Sequence, residues 1–204
     1  MNDVILIDAG TGNLRSVQKA LESIGANVLR TNDPNRVLSG RRVVLPGVGA
    51  FGNFISSLRA LGLEEAVKEA AMNSVPMLGI CVGMQVFFEV GEELGQHAGL
   101  GLLRGKVVRF EPSTAVKIPH TGWNQIQTKK ESLLFNGLHD GMYVYFNHSY
   151  YCEARDATDI LATTDYGINY ASAVERKNIF GVQFHPEKSQ SAGLRILKNF
   201  LEAE

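Results

Sequence analysis

The chain alternates between short, wholly apolar runs and longer stretches in which apolar residues recur at helical spacing. Val4-Ile5-Leu6-Ile7 ends in Asp8, the pattern of a strand buried on both faces. A turn over Ala9-Gly10-Thr11-Gly12-Asn13 follows. Leu14, Val17, Leu21 and Ile24 then lie on one helical face that stops at Gly25. Asn27 to Thr31 reads as a second strand. A β-α-β opening of this kind predicts a parallel sheet with helices on both faces. Arg42-Val43-Val44-Leu45 is the next buried strand, and two helices are expected around residues 51 to 61 and 63 to 73. Val75-Pro76-Met77-Leu78 is another strand, with a helix expected to run on through Val86-Phe87-Phe88-Glu89.

The pattern loosens beyond residue 100. Strands are expected at Lys106 to Phe110, Met142 to Phe146, Ile160 to Thr164, Ala171 to Glu175 and Ile179 to Phe184. Ile118 to Asn124, punctuated by Pro119 and Gly122, reads as loop. Leu194, Leu197, Phe200 and Leu201 predict a closing helix. The fold class is therefore α/β: a mostly parallel sheet flanked by helices, with an antiparallel extension, in one domain over residues 1 to 204.

Composition narrows the function. A net charge of −1 carries no electrostatic footprint for nucleic acid or a membrane surface. No apolar run approaches the roughly 20 residues of a membrane span. The N-terminus reads as a strand and not as a secretion signal. Two cysteines, Cys81 and Cys152, cannot build a disulfide framework, which fits a reducing compartment, and a cytoplasmic location is expected. The histidines at 97, 120, 139, 148 and 185 lack ligand spacing, so no metal or cofactor is expected.

The chemistry centres on Gly79-Ile80-Cys81-Val82-Gly83 between a strand and a helix. That is the thiol form of a nucleophile elbow, in which the two glycines relieve a crowded turn and the following helix favours the thiolate. The competing use is a structural cysteine in a glycine-rich turn. His185-Pro186-Glu187 supplies a base and its orienting acid if the segment is extended, since positions i and i+2 then point the same way. Pro46-Gly47-Val48-Gly49 follows a strand and can offer a backbone N–H from the Gly47–Val48 region to an oxyanion, with the N–H of Val82 as the second donor. Gln85 lies one helical turn beyond Cys81, within reach of a polar substrate, and an acid at Glu92 or Glu93 can meet a substrate ammonium. Gly10-x-Gly12 is not a dinucleotide fingerprint, because Arg15 stands where the third glycine belongs. Trp123, the sole tryptophan, is either core or a protein-interface anchor.

Taken together, the Cys81 elbow, Pro46 to Gly49 and Gln183-Phe184-His185-Pro186-Glu187 resemble the class I (triad) glutamine amidotransferases. The words Pro119 to Asn124, Tyr145 to Tyr150 and Lys188-Ser189-Gln190 narrow the resemblance to the glutaminase subunits of imidazole glycerol phosphate synthases. The resemblance covers essentially the whole chain and implies a flavodoxin-like three-layer architecture. It implies a Cys81–His185–Glu187 triad that releases ammonia from glutamine. It assigns glutamine recognition to Gln85, Glu93 and the backbone of His148, Ser149 and Tyr150. It also implies a heterodimer with a (β/α)8 cyclase subunit that uses the ammonia in histidine biosynthesis, with Asn13, Trp123 and Lys188 facing that partner. Two other readings share these residues: the glutaminase subunit of a different amidotransferase, and a free-standing cysteine hydrolase. A non-catalytic binding module would need the triad to be inert.

Overall fold

The computed structural model describes residues 3–112 and 116–203. The first half contains β1 (Asp3–Ile7), α1 (Leu14–Ser23), β2 (Asn27–Thr31), α2 (Pro34–Leu38), β3 (Val43–Gly47), α3 (Phe51–Ala60), α4 (Leu63–Met72), β4 (Met77–Cys81) and the single turn α5 (Val82–Gln85). There follow β5 (Phe88–Gly91), β6 (His97–Ala98), β7 (Leu103–Arg109), β8 (His120–Gln125), β9 (Gln127–Thr128), β10 (Tyr143–His148) and β11 (Tyr150–Ala154). The chain closes with β12 (Ile160–Asp165), β13 (Asn169–Arg176), β14 (Ile179–Val182) and α6 (Gln190–Phe200).

Five strands form a parallel run in the order β2-β1-β3-β4-β14. That is the flavodoxin-like order, with β14 in the last place. Its central members, β3 and β4, are buried at every position, as their unbroken apolar sequences predict. Local signals end the helices where the sequence places them. Asp33 caps α2 by accepting from the Asn35 N–H at 2.9 Å, with Pro34 in the first helical position. After α1, Gly25 takes φ +89° and its N–H returns to the Glu22 carbonyl at 3.0 Å. From β14 the sheet continues antiparallel through β13 and β11 to β7, with β12 beside β13. The antiparallel extension is as expected.

Three local expectations are corrected. The helix after the elbow stops at Gln85, and Phe88 to Gly91 is strand β5, paired with β6 and β7. Val86, Phe87 and Phe88 are all fully buried, and a surface helix cannot hide three consecutive apolar residues, because one face must meet water. The loop expected over Ile118 to Asn124 is largely strand β8, which pairs antiparallel with β10 from His120↔His148 to Gln125↔Tyr143. Its glycine and proline hid a usable pattern, since His120 points inward while Thr121, Trp123 and Gln125 are exposed. β8 and β10 form a ribbon separate from the main sheet. Finally, residues 186 to 188 are a 3-10 turn and not extended chain.

Candidate active site

Strand β4 delivers Cys81 at its carboxyl end with φ +56° and ψ −114°. Non-glycine residues adopt this backbone only where the surroundings enforce it, and such strain gathers at functional turns. The glycines of the motif act by close packing and not by unusual dihedrals, as neither Gly79 nor Gly83 has a positive φ. A Cβ on Gly83 would lie 1.8 Å from the Leu45 carbonyl oxygen, and one on Gly79 would lie 2.6 Å from Phe87. So α5 sits directly on β3, and the turn at Cys81 has no room to relax. With only four residues, α5 carries little of the dipole expected beneath the thiol. Its contribution is local: as the first helical residue, Val82 has no carbonyl within the helix to receive its N–H.

His185 follows β14. Its Nδ1 meets Glu187 Oε1 at 2.9 Å, so Nε2 is left to face Cys81. The turn over 186 to 188, and not an extended segment, brings acid and imidazole together. Burial alone would lower the His185 pKa, but the hydrogen bonds and electrostatic contacts it makes with Cys81 and Glu187 raise it to about 10. At neutral pH the imidazole is therefore protonated, which suits a thiolate–imidazolium pair. The Glu187 side chain is 1% exposed, so its charge acts with little water to screen it.

The ribbon fixes this loop. The His185 N–H donates to the Tyr145 carbonyl at 2.9 Å, the Tyr145 N–H donates to Ser189 Oγ at 3.0 Å, and Ser189 Oγ donates to the His185 carbonyl at 2.6 Å. Beneath the loop, a Cβ on Gly193 of α6 would lie 1.9 Å from the Pro186 carbonyl oxygen. Helix and ribbon thus hold the base from two sides.

A cleft of about 210 Å3 opens over these groups. Cys81, Val82, His185 and Gln85 line it from the elbow and base, and Val48 and Gly49 from the loop after β3. Glu93, His148, Ser149 and Tyr150 complete the recognition set read from sequence, and Asn13 and Lys188 also face the cleft. Glu93 is held by the Phe51 N–H at 2.7 Å. The His148 ring turns inward, with Nδ1 on the Tyr150 carbonyl at 2.8 Å and Nε2 on the Tyr170 hydroxyl at 3.2 Å, so only its backbone is free for a ligand. Gly47, Glu187 and Trp123 do not line the cleft. Gly47 pairs with Cys81 in the sheet, and a Cβ there would meet the Gly83 nitrogen at 2.7 Å. The freedom in this loop lies instead at Gly49, with φ +91° and open space where a Cβ would be. Trp123 is 45% exposed on the outer face of the ribbon, its ring 6.1 Å from that of Tyr145.

Sequence reasoning missed two residues. Asn147 lines the cleft from β10. Gln183, buried and two residues before His185, donates from Nε2 to Cys81 Sγ at 3.6 Å. The only signal for Gln183 was an amide in an otherwise apolar strand ending.

A model of the class-I glutamine amidotransferase family matches residues 5–203. The chain belongs to that family. It is accordingly an enzyme, a glutamine amidotransferase, as the motifs implied. Among its relatives is the imidazole glycerol phosphate synthase subunit HisH of Salinibacter ruber, 50% identical over 200 residues, which cover 96% of this chain and 92% of that one. The subunit of the same name from Moorella thermoacetica is 47% identical over 202 residues, covering 99% and 95% of the two chains. The narrower resemblance, to this kind of subunit, is borne out as well. Solved structures agree on the fold alone. A crystal structure of a glutamine amidotransferase superposes with TM-score 0.76 at 18% identity, covering 98% of this chain and 97% of that one. The structure of PurLQS from Thermotoga maritima gives TM-score 0.75 at 17% identity, covering the same shares. Among the described residues, no helix is long and apolar enough to cross a membrane.

Proposed function

We propose that this amidotransferase is the glutaminase subunit of an imidazole glycerol phosphate synthase, acting through Cys81, His185 and Glu187. The observation that carries the chemistry is the strained Cys81 facing a buried His185 whose other nitrogen is held by Glu187 at 2.9 Å. Cys81 thiolate attacks the side-chain amide carbon of glutamine. The carbonyl oxygen becomes an oxyanion, received by the Val82 N–H and by an N–H of the Gly47–Val48 region. His185, protonated at the outset, gives its proton to the departing ammonia, and the γ-glutamyl group remains on sulfur as a thioester. Water then attacks the thioester, His185 takes its proton, and glutamate leaves as the Cys81 thiolate is restored. Glu187 holds the imidazole tautomer and balances its charge throughout. No cofactor enters these steps.

Glutamine is recognised through Glu93, Gln85 and the backbone of His148 to Tyr150. The acid at Glu93 suits the α-ammonium. Ammonia that escapes into water is protonated and lost as a nucleophile, so the cleft is proposed to open onto a cyclase subunit. Asn13 and Lys188 stand at the cleft, and the ribbon beside it presents Trp123 together with Tyr143, which is 57% exposed. The Lys188 ammonium lies 5.5 Å from the Tyr145 ring centroid, which ties the cleft to this aromatic face. Completion of the oxyanion hole is assigned to the Val48 peptide, which Gly49 frees to turn.

Glutamate release from glutamine, by the chain alone and with the cyclase subunit plus its nucleotide ligand, tests this reading. Low release alone and a large rise in the complex are expected. High release alone would identify a free-standing hydrolase, and a rise only with another amidotransferase's partner would reassign the subunit.

A further inference from the structure

The nucleophile has a second neighbour besides His185. Gln183 continues from β14, its N–H bonded to the Ser172 carbonyl at 2.9 Å, and it is 0% exposed. A buried primary amide is stable only where its donors and acceptor are met. Its Oε1 accepts from Gln85 Nε2 at 3.0 Å, and its Nε2 donates to Cys81 Sγ at 3.6 Å. Gln85 Nε2 also donates to the Tyr150 carbonyl at 3.0 Å, where His148 Nδ1 arrives at 2.8 Å.

The direction of this chain is forced. A backbone carbonyl only accepts, so the Gln85 amide must turn its NH2 toward Tyr150. The same NH2 then meets Gln183, which must present its oxygen. The Gln183 NH2 is left for the sulfur. Reversing Gln85 would set oxygen against oxygen, and reversing Gln183 would set NH2 against NH2 and oxygen against sulfur. One Gln85 N–H is therefore anchored on the Tyr150 carbonyl and the other on Gln183, and the chain ends in a Gln183 N–H aimed at sulfur.

We propose that Gln183 stabilises the Cys81 thiolate, and that Gln85 and the Tyr150 carbonyl act as positioning groups that keep the Gln183 N–H on the sulfur. The proposal rests on Cys81 being the nucleophile. It gives Gln85 an inward task besides the recognition of glutamine. An N–H favours the anion over the thiol, so it raises the thiolate fraction available at neutral pH. Gln183 does not line the cleft, so it contributes to reactivity and not to glutamine binding.

The test is the rate of iodoacetamide alkylation of Cys81 against pH, read by peptide mass spectrometry on the full chain, for Gln183→Leu and Gln183→Glu. With Gln183→Leu, alkylation at pH 7 falls about tenfold, the size of a lost hydrogen bond to a charged group. The loss closes as pH rises and the thiol ionises unaided. Gln183→Glu has the same shape but sets a carboxylate against the sulfur, so its profile moves to still higher pH. For glutamine turnover with the partner subunit, kcat falls while KM stays within about twofold. A pH profile that superposes on that of the unaltered chain overturns the proposal, as does a loss that persists undiminished at alkaline pH. Alkylation reads the thiol whether or not glutamine is the substrate, so this result stands apart from the test of the proposed function.

Discussion

Cys81 and His185 reach one cleft by different means. The Cys81 side is held by backbone packing: β3, β4 and α5 approach so closely that Leu45 and Gly83 touch where a side chain would stand. The His185 side is held by hydrogen bonds from a ribbon outside the main sheet, through Tyr145 and Ser189. Packing is unforgiving of added volume. A hydrogen-bonded mount is sensitive to lost partners and, where histidines take part, to pH.

Substitutions separate the two kinds of support. The largest effect is expected for Gly83→Ala, which drives a Cβ into the Leu45 carbonyl at 1.8 Å, where neither backbone can yield. A loss of about 4 kcal/mol or more of stability is expected by urea unfolding, since large effects follow overpacking of this kind. Unchanged stability would mean that β3 and α5 are not so tightly joined. Glu187→Gln keeps the shape and removes the charge that holds the His185 proton. Glutamine turnover should fall on the order of 10^4-fold, as when a triad acid is made neutral, and stability at pH 7 should fall as well, because part of what raises the His185 pKa is lost.

Acid comes next. Burial lowers the His148 pKa to about 3 and that of His120 to about 4, so both are neutral in the folded chain. Unfolded, they would take up protons near their ordinary value of 6.5. Between that value and about 4 the unfolded chain binds more protons, and stability falls as pH falls. A loss on the order of 3 kcal/mol is expected over this window. The sign for His185 is opposite. Its pKa is raised to about 10, so its contribution is complete below 6.5 and is lost as pH rises through 10. Urea unfolding at a series of pH values checks both limbs, and a flat acid limb would place the ribbon histidines in water.

The smallest effect is expected for Ser189→Ala. It frees the Tyr145 N–H and the His185 carbonyl of one partner each, worth about 2 kcal/mol together. Turnover should fall more than stability alone accounts for, because the imidazole loses its mount. Equal turnover would show that the fit of α6 against Pro186 suffices.

The same contrast governs what could be read from the sequence. The Cys81 side was legible because its strands are apolar runs and its turns carry glycine, signals that lie within a few residues of each other. The β-α-β opening, the parallel sheet and the elbow follow from them. The ribbon was not legible, because β8 has Pro119 before it and Gly122 and Trp123 within it, and its strand character depends on pairing with β10 across 18 or more residues. Asn147 and Gln183 were missed for a related reason: an isolated amide shows its role only when a distant partner is placed beside it. Where local pattern was trusted too far, at Val86 to Glu89, pairing of Phe88 to Gly91 with β7 won over helical continuation. The pairing of His185 with Glu187 was read correctly, though a turn and not an extended strand produces it.

The central claim is that the two mounts meet to make one activated thiol. Its most direct test is covalent labelling of the full chain with a glutamine-derived electrophile, followed by peptide mass spectrometry, for the unaltered chain and for His185→Ala. A single adduct on Cys81, none on the buried Cys152, and loss of the adduct in His185→Ala are predicted. Equal labelling of Cys81 with and without His185, or no adduct at all, would contradict it.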